Sequence, residues 1–194
     1  MEFLTRFVKT GTWRLLLAAG LAIAAMGARA QSLENAVKAT FLYKFALYVE
    51  WPATAFANAA SPLSLCIAGD DPFGAALDGA VNGQRINGRD IAVRRIKTAG
   101  PETGCHILFV GGNDAQTLTA VRGSPVLTVT DNRDAGAAGI INFVVKDNHV
   151  RFTIDDASAA QNNLVISSKL LSLALDVKLR SSAAPSVSNQ GGSH

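Results

Sequence analysis

The sequence predicts a single α/β domain: a mostly parallel central sheet of about five or six strands, an antiparallel hairpin at one edge, and helices on both faces. Two observations support this prediction. Short continuous apolar runs alternate with helical segments, which is typical of parallel strands covered on both faces. Near the C-terminus, two strand-like runs are separated only by residues 146–148, which favours an antiparallel hairpin.

The elements follow from hydrophobic periodicity and from turn residues. Continuous apolar runs or alternating patterns predict strands at 63–68, 90–96, 105–110, 125–130, 140–145 and 149–154. Helical spacing predicts helices at 38–52, 73–80, 113–121 and 166–179. Asp155 or Asp156 is expected to cap a further helical segment after the last strand.

The helix at 38–52, KATFLYKFALYVEWP, is the most strongly patterned part of the chain. Ser32 suits its N-cap, and Pro52 is expected to end it because proline disfavours helical geometry at the preceding residue. One stripe on this helix should face a core, and it comprises Leu33, Val37, Phe41, Phe45 and Tyr48.

A second apolar strip lies roughly opposite the first and consists of Leu42, Ala46 and Val49. A helix that is apolar nearly all round needs cover on both sides. We expect this strip to be a contact surface for a dimer mate or a membrane partner. The alternative is that the C-terminal helix of the same chain covers it.

Residues 1–30 have the pattern of a secretory signal peptide. Basic residues precede an apolar run at 15–26, and the small-residue pattern at 28–30 predicts cleavage after Ala30. The apolar run is shorter than the roughly 20 residues that span a bilayer, which disfavours an uncleaved anchor. The sequence therefore predicts export to the periplasm.

Removing residues 1–30 changes the charge balance. The chain has 18 basic and 15 acidic side chains, and the leader contains four basic residues and one acidic residue, which leaves 14 of each. A near-neutral chain lacks the basic excess of a general nucleic-acid binder, so we expect no nucleic-acid partner. We expect one domain at 31–180 and a disordered polar, Gly-rich tail at 181–194.

Cys66 and Cys105 are the only cysteines in the chain. In an oxidising compartment they are expected to form a structural disulfide that joins two neighbouring strands. A redox switch is the alternative, but Cys66 lies inside an apolar run, where a disulfide is hard to reduce.

Four aspartates follow the ends of two predicted parallel strands: Asp70, Asp71, Asp131 and Asp134. Open α/β sheets usually bind ligands at the carboxyl ends of their strands, so these residues form a candidate ligand crevice. Carboxylates there could also hold Mg²⁺, as in a metal-dependent hydrolase. Ordinary turn chemistry is the favoured interpretation, and we predict no metal and no cofactor.

Other motifs do not support catalysis. His106 and His149 lack partners at ligand spacing and are expected to be core or edge residues. The sequence at 167–169, Ser-Ser-Lys, contains a serine and a lysine, but adjacent helical positions point in different directions. Gly111 and Gly112 give only a weak indication of anion binding. The sequence contains no Rossmann fingerprint, P-loop or nucleophile elbow.

Several motifs occur in a characteristic order and spacing: KATFLYKFALYVEWP, LCIAGDDPFG, NGQRINGRDIAVRRI, CHILFV, PVLTVTD, VRFTID and ISSKLLSLA. In these motifs, over residues 35–174, the chain resembles the YfiR-like periplasmic proteins. The resemblance implies an α/β domain that binds and represses an inner-membrane diguanylate cyclase, lowering cyclic di-GMP and biofilm formation. Some relatives carry a second cysteine pair that this chain lacks.

We therefore expect a non-enzymatic periplasmic regulator that docks on the periplasmic portion of a membrane signalling protein. The alternative is a periplasmic small-molecule sensor that uses the aspartate crevice. The near-neutral charge and the surplus of apolar surface also favour a homodimer.

Overall fold

The computed structural model of the chain describes residues 31–112, 114–131 and 138–180. The strands are, in chain order, β1 (Val49–Glu50), β2 (Leu63–Ala68), β3 (Arg85–Ile86), β4 (Arg89–Ile96), β5 (Ile107–Val110), β6 (Leu127–Thr130), β7 (Ile141–Lys146), β8 (His149–Asp155), β9 (Val165–Ile166) and β10 (Asp176–Lys178). The α-helices are α1 (31–44), α2 (Ala75–Val81), α3 (Ala115–Ala120), α4 (Asp156–Gln161) and α5 (Ser168–Leu171).

Eight strands form one mixed sheet with the order β10-β8-β7-β6-β5-β2-β4-β3. Five neighbouring strands, β4, β2, β5, β6 and β7, are parallel. Numbered along the chain, these five have the spatial order 2-1-3-4-5, a common doubly wound arrangement. The mostly parallel sheet is confirmed, but the sheet has more strands than the five or six predicted.

The C-terminal segment differs most from the prediction. The helix expected at 166–179 is only one turn, α5, and the chain then forms β10, which pairs in parallel with β8 from Asp176 to Lys178. The amide of Leu175 donates to the carbonyl of Phe152 at 2.8 Å, which begins this pairing. In this segment, pairing with the edge of β8 is therefore favoured over helix formation.

The hairpin of β7 and β8 is present, with antiparallel pairing from Ile141 opposite Ile154 to Lys146 opposite His149. Its position was predicted incorrectly, because β10 lies outside β8 and forms that end of the sheet. Asp155 caps α4 as expected, since its carboxylate accepts from the amide of Ser158 at 2.8 Å.

The two faces of the sheet carry separate apolar clusters. Side chains alternate along a strand, so in β2 Leu65 and Ile67 face one way and Cys66 and Ala68 face the other. The larger cluster includes residues of α1, α2 and α5, whereas the smaller one contacts Leu118 of α3. Helices therefore cover both faces, as predicted. Every residue of β5 and β6 is buried, which explains the continuous apolar sequence of β5.

Helix α1 ends earlier than predicted. Residues 31–44 are α-helical, Phe45–Tyr48 form a 3₁₀ turn, and Val49–Glu50 pair with β9 in a small antiparallel sheet. The carbonyl of Tyr48 accepts from the amide of Ser167 at 2.9 Å, so a tertiary bond replaces a helical one. Pro52 is therefore not what ends the helix. Ser32 is not its N-cap either, because residue 31 is already helical.

Candidate functional site

The carboxyl ends of the parallel strands are where the predicted ligand crevice should lie. Asp70 and Asp71 follow β2, Asp131 follows β6, and β5 lies between these two strands. Asp134 lies outside the described residues. The structure therefore places three of the four predicted aspartates at the expected edge of the sheet.

The loops after β2 and β5 touch at the point where the strand order reverses, the usual ligand position in such sheets. A Cβ atom on Gly111 would lie 2.0 Å from the carbonyl oxygen of Asp70, and one on Gly69 would lie 2.7 Å from the carbonyl oxygen of Gly111. Only glycine fits at these two positions, and the backbones themselves occupy the space between the loops.

Asp71 serves the turn that leads into α2. Its carboxylate accepts from the amides of Phe73 and Gly74 at 2.8 and 3.1 Å and from the guanidinium of Arg95 at 2.7 Å. Partial burial alone would raise the pKa of Asp71, but these bonds outweigh burial and hold the pKa below its ordinary value. Arg95 also pairs with Asp78 at 3.0 Å, so it links β4 to α2.

Asp131 is engaged by a lysine that the sequence did not identify as a partner. The ammonium of Lys38 lies 2.6 Å from Oδ2 of Asp131 and 2.5 Å from Oε1 of Glu34. The Lys38 side chain has no exposed surface, whereas each carboxylate side chain is 18% exposed. This group of three charges, which we call the Lys38 triad, fastens α1 to the carboxyl end of β6. Oδ1 of Asp131 is buried and has no hydrogen bond with any residue that the structure describes.

The prediction that Leu42, Ala46 and Val49 form a free contact surface is wrong. Leu42 and Ala46 are completely buried and Val49 is 3% exposed, all within the larger apolar cluster. The opposite stripe behaves differently along its length: Phe45 is buried, but Leu33 is 68% exposed and Val37 is 36% exposed. The sheet covers the strip that was expected to be free, and the beginning of the expected core stripe faces outward.

The exposed part of α1 borders a groove. This groove has a volume of about 470 Å³ and lies between α1 and the tip of the β7–β8 hairpin. Its apolar lining consists of Leu33, Val37, Phe41, Val145 and Val150. A shallower hollow of about 370 Å³ lies on the other side of Val37 and Phe41 and includes Lys44.

His106 is a buried structural residue, as the sequence predicts for a core histidine. Its Nδ1 accepts from the amide of Ser64 at 3.0 Å, and its Nε2 lies 3.0 Å from the carbonyl of Ala55, so the neutral ring carries its proton on Nε2. Burial lowers the pKa of His106 and the positive charge of Arg89 adds to this, while the bond to Ala55 opposes it. The ring of Phe56 stacks on the imidazole at 4.1 Å.

The Cys66–Cys105 disulfide is present, with the two Cα atoms 5.8 Å apart, so the predicted pairing is confirmed. Both cysteines lie in the smaller apolar cluster, where Cys66 has no exposed surface and Cys105 is 6% exposed. The bond links β2 to the residues that lead into β5.

The part of the chain that the structure describes contains no group of three or more His, Cys, Asp or Glu side chains placed to hold a metal ion. Among those same residues, no helix is both long enough and apolar enough to cross a membrane.

Together, the doubly wound sheet and the buried disulfide define a small, disulfide-linked α/β domain. A family model described as YfiR/HmsC-like matches residues 35–175, and the chain belongs to this family. Its members are periplasmic regulators of diguanylate cyclase signalling and not a catalytic family. No curated protein matches the chain in sequence.

Proposed function

We propose that this protein is a periplasmic, non-enzymatic repressor of a membrane-bound diguanylate cyclase. It binds the periplasmic portion of the cyclase and so lowers cyclic di-GMP and biofilm formation. The family match over residues 35–175 is the observation that supports this function most strongly. The predicted leader at 1–30 would deliver the mature chain to the compartment where that portion of a cyclase is accessible.

The contacts of the aspartates also favour regulation over hydrolysis. Asp71 is bound by Arg95 and by two backbone amides, and Asp131 is bound by the buried Lys38. A carboxylate that already neutralises a cation inside the fold is a weak ligand for a second cation. We therefore assign these residues to folding and propose no catalytic or metal-binding role for them.

The test is a deletion of the gene with measurement of cyclic di-GMP by mass spectrometry. Deletion should raise the cyclic di-GMP content, and the full chain with its leader should restore it. The matched control is a chain that lacks residues 2–30, which should not restore it because it is not exported. An unchanged content after deletion, or equal restoration by the leaderless chain, contradicts the proposal.

A small-molecule sensor is the second candidate function, and Asp70 is the observation that favours it. Asp70 is exposed at the switch point, whereas Asp71 and Asp131 are engaged. Thermal-shift screening against amino acids, nucleotides and vitamins tests this candidate. A ligand that raises the melting temperature of the wild type but not of Asp70→Ala supports it, and no shift with any compound contradicts it.

A further inference from the structure

We infer that the groove between α1 and the β7–β8 hairpin is the docking site for an apolar and acidic segment of the protein partner. This inference rests on the proposed function and adds the surface and the chemistry of the partner to it. We call this surface the α1–hairpin groove, and its apolar lining is that given above for the cavity of about 470 Å³.

The groove is apolar where it is open. Leu33 is 68% exposed, Val145 is 42% exposed and Val37 is 36% exposed, and all three line the same cavity. Phe41 joins the groove to the core, because its ring stacks on Phe45 at 6.1 Å and meets Phe152 edge-on at 6.0 Å. Exposed apolar side chains that line a concave surface on a rigid support are typical of a protein-binding site.

The charges around the groove are unbalanced. Among the residues that line the groove and the adjoining hollow, the charged side chains are Glu34, Lys44 and Arg151. Glu34 shares the ammonium of Lys38 with Asp131. Neither Lys44 nor Arg151 forms an ion pair with a described residue. Two cations with no ion-pair partner among the described residues, placed beside an apolar groove, complement a partner with carboxylates next to its apolar side chains.

Three other occupants fit less well. A second copy would bring Lys44 and Arg151 of both copies together, and the one carboxylate in the lining, Glu34, is already engaged by Lys38. Residues 181–194 contain one large apolar side chain, Val187, too few to fill the groove. A membrane surface would need apolar side chains that protrude, whereas these line a cavity.

The first experiment is photo-crosslinking in living cells. The full chain carries p-benzoylphenylalanine at position 37, and a control carries it at position 165, because Val165 is 49% exposed and lies outside the groove lining. The expected result is an adduct, from position 37 only, with an inner-membrane protein whose crosslinked peptide is apolar and acidic. An adduct with a second copy, an equal adduct from position 165, or no adduct overturns the inference.

Charge reversal tests the role of the two cations. The double variant Lys44→Glu/Arg151→Glu should lower the crosslinking yield from position 37 by about ten-fold, because rim charges control the rate of encounter. The matched control is Lys97→Glu/Arg122→Glu, which changes the net charge equally at two exposed positions outside the groove and should leave the yield unchanged. Equal yields from both variants, measured on chains with the same urea midpoint, overturn the inference.

Vesicle flotation tests whether the α1–hairpin groove binds a membrane surface and not a protein segment. The purified mature chain, mixed with vesicles of phosphatidylethanolamine and phosphatidylglycerol, should stay in the unbound fraction. Flotation that is lost in Lys44→Glu/Arg151→Glu but not in the matched control would show that the groove binds lipid, which overturns the inference.

Cyclic di-GMP measurements separate the docking surface from the proposed function. If the groove variant restores the deletion strain as well as the wild type does, the surface is wrong and the repressor function stands. If position 37 crosslinks as expected but deletion leaves cyclic di-GMP unchanged, the surface is supported and the repressor function fails.

Discussion

The Lys38 triad gives a quantitative prediction about stability. Lys38→Met keeps most of the length and an apolar stem in place of a fully buried side chain and removes its charge. Glu34 and Asp131 then remain with no cation between them, although each lay within 2.6 Å of the same ammonium. Breaking a buried ion pair from one side costs about 3–5 kcal/mol. The free energy of unfolding should fall by about this amount.

Urea unfolding followed by Trp51 fluorescence measures this loss, because Trp51 is the only tryptophan after residue 30. The matched control is Lys44→Met, an exposed lysine on the same helix, which should change the free energy by no more than about 0.5 kcal/mol.

A loss below about 1 kcal/mol would refute the argument that buried charge pairing fastens α1 to β6.

Three further predictions concern the core. Reducing the Cys66–Cys105 bond should lower the free energy of unfolding by about 4 kcal/mol, given the sequence separation of 39, and an unchanged urea midpoint in reductant would contradict this. The pKa of His106 in the folded chain lies below its ordinary value of 6.5, so the neutral ring contributes its full stabilisation above pH 6.5. As the pH drops below 6.5, the free energy of unfolding should decrease by at most about 1.4 kcal/mol per pH unit. His106→Gln should remove this slope, and an identical slope in the variant would show that other groups cause it. Leu42→Ala should lower the free energy of unfolding by about 2–5 kcal/mol because Leu42 is completely buried. An unchanged free energy of unfolding would show that Leu42 lies on the surface.

The parallel core of the sheet could be predicted from sequence because its strands are buried on both faces. Continuous apolar runs such as 63–68 have few alternative structures when turn residues follow them. Strand β2 therefore has the predicted bounds, Leu63–Ala68. The cysteine pairing was equally accessible, because the chain has two cysteines and a predicted route to an oxidising compartment.

The ends of the chain could not be predicted in the same way, because tertiary contacts override local preference there. Leu170, Leu173 and Val177 have helical spacing, yet the residues around Val177 pair with β8 and Leu173 is 58% exposed. The strand edge with which this segment pairs belongs to β8, and the local pattern of residues 166–179 does not reveal it. The early end of α1 has the same origin, in the bond between Tyr48 and Ser167.

The candidate site was the hardest part to predict. A helix that is apolar on both sides does not reveal which side the sheet covers, so Leu42 was assigned to the wrong surface. The spacing of Glu34 and Lys38 on one helix was visible, but the third member of the triad, Asp131, lies 93 residues beyond Lys38. The position of Lys38 among apolar helical residues was the available indication of a buried charge pair.

The most direct test of the account is an epistasis measurement of cyclic di-GMP. In a strain that lacks this chain, the membrane-bound diguanylate cyclases are deleted one at a time, and cyclic di-GMP is measured by mass spectrometry. Removing one particular cyclase should cancel the rise caused by loss of the chain, and position 37 should crosslink to that same cyclase. A rise that persists in every single deletion, or no rise at all, would contradict repression of a membrane cyclase.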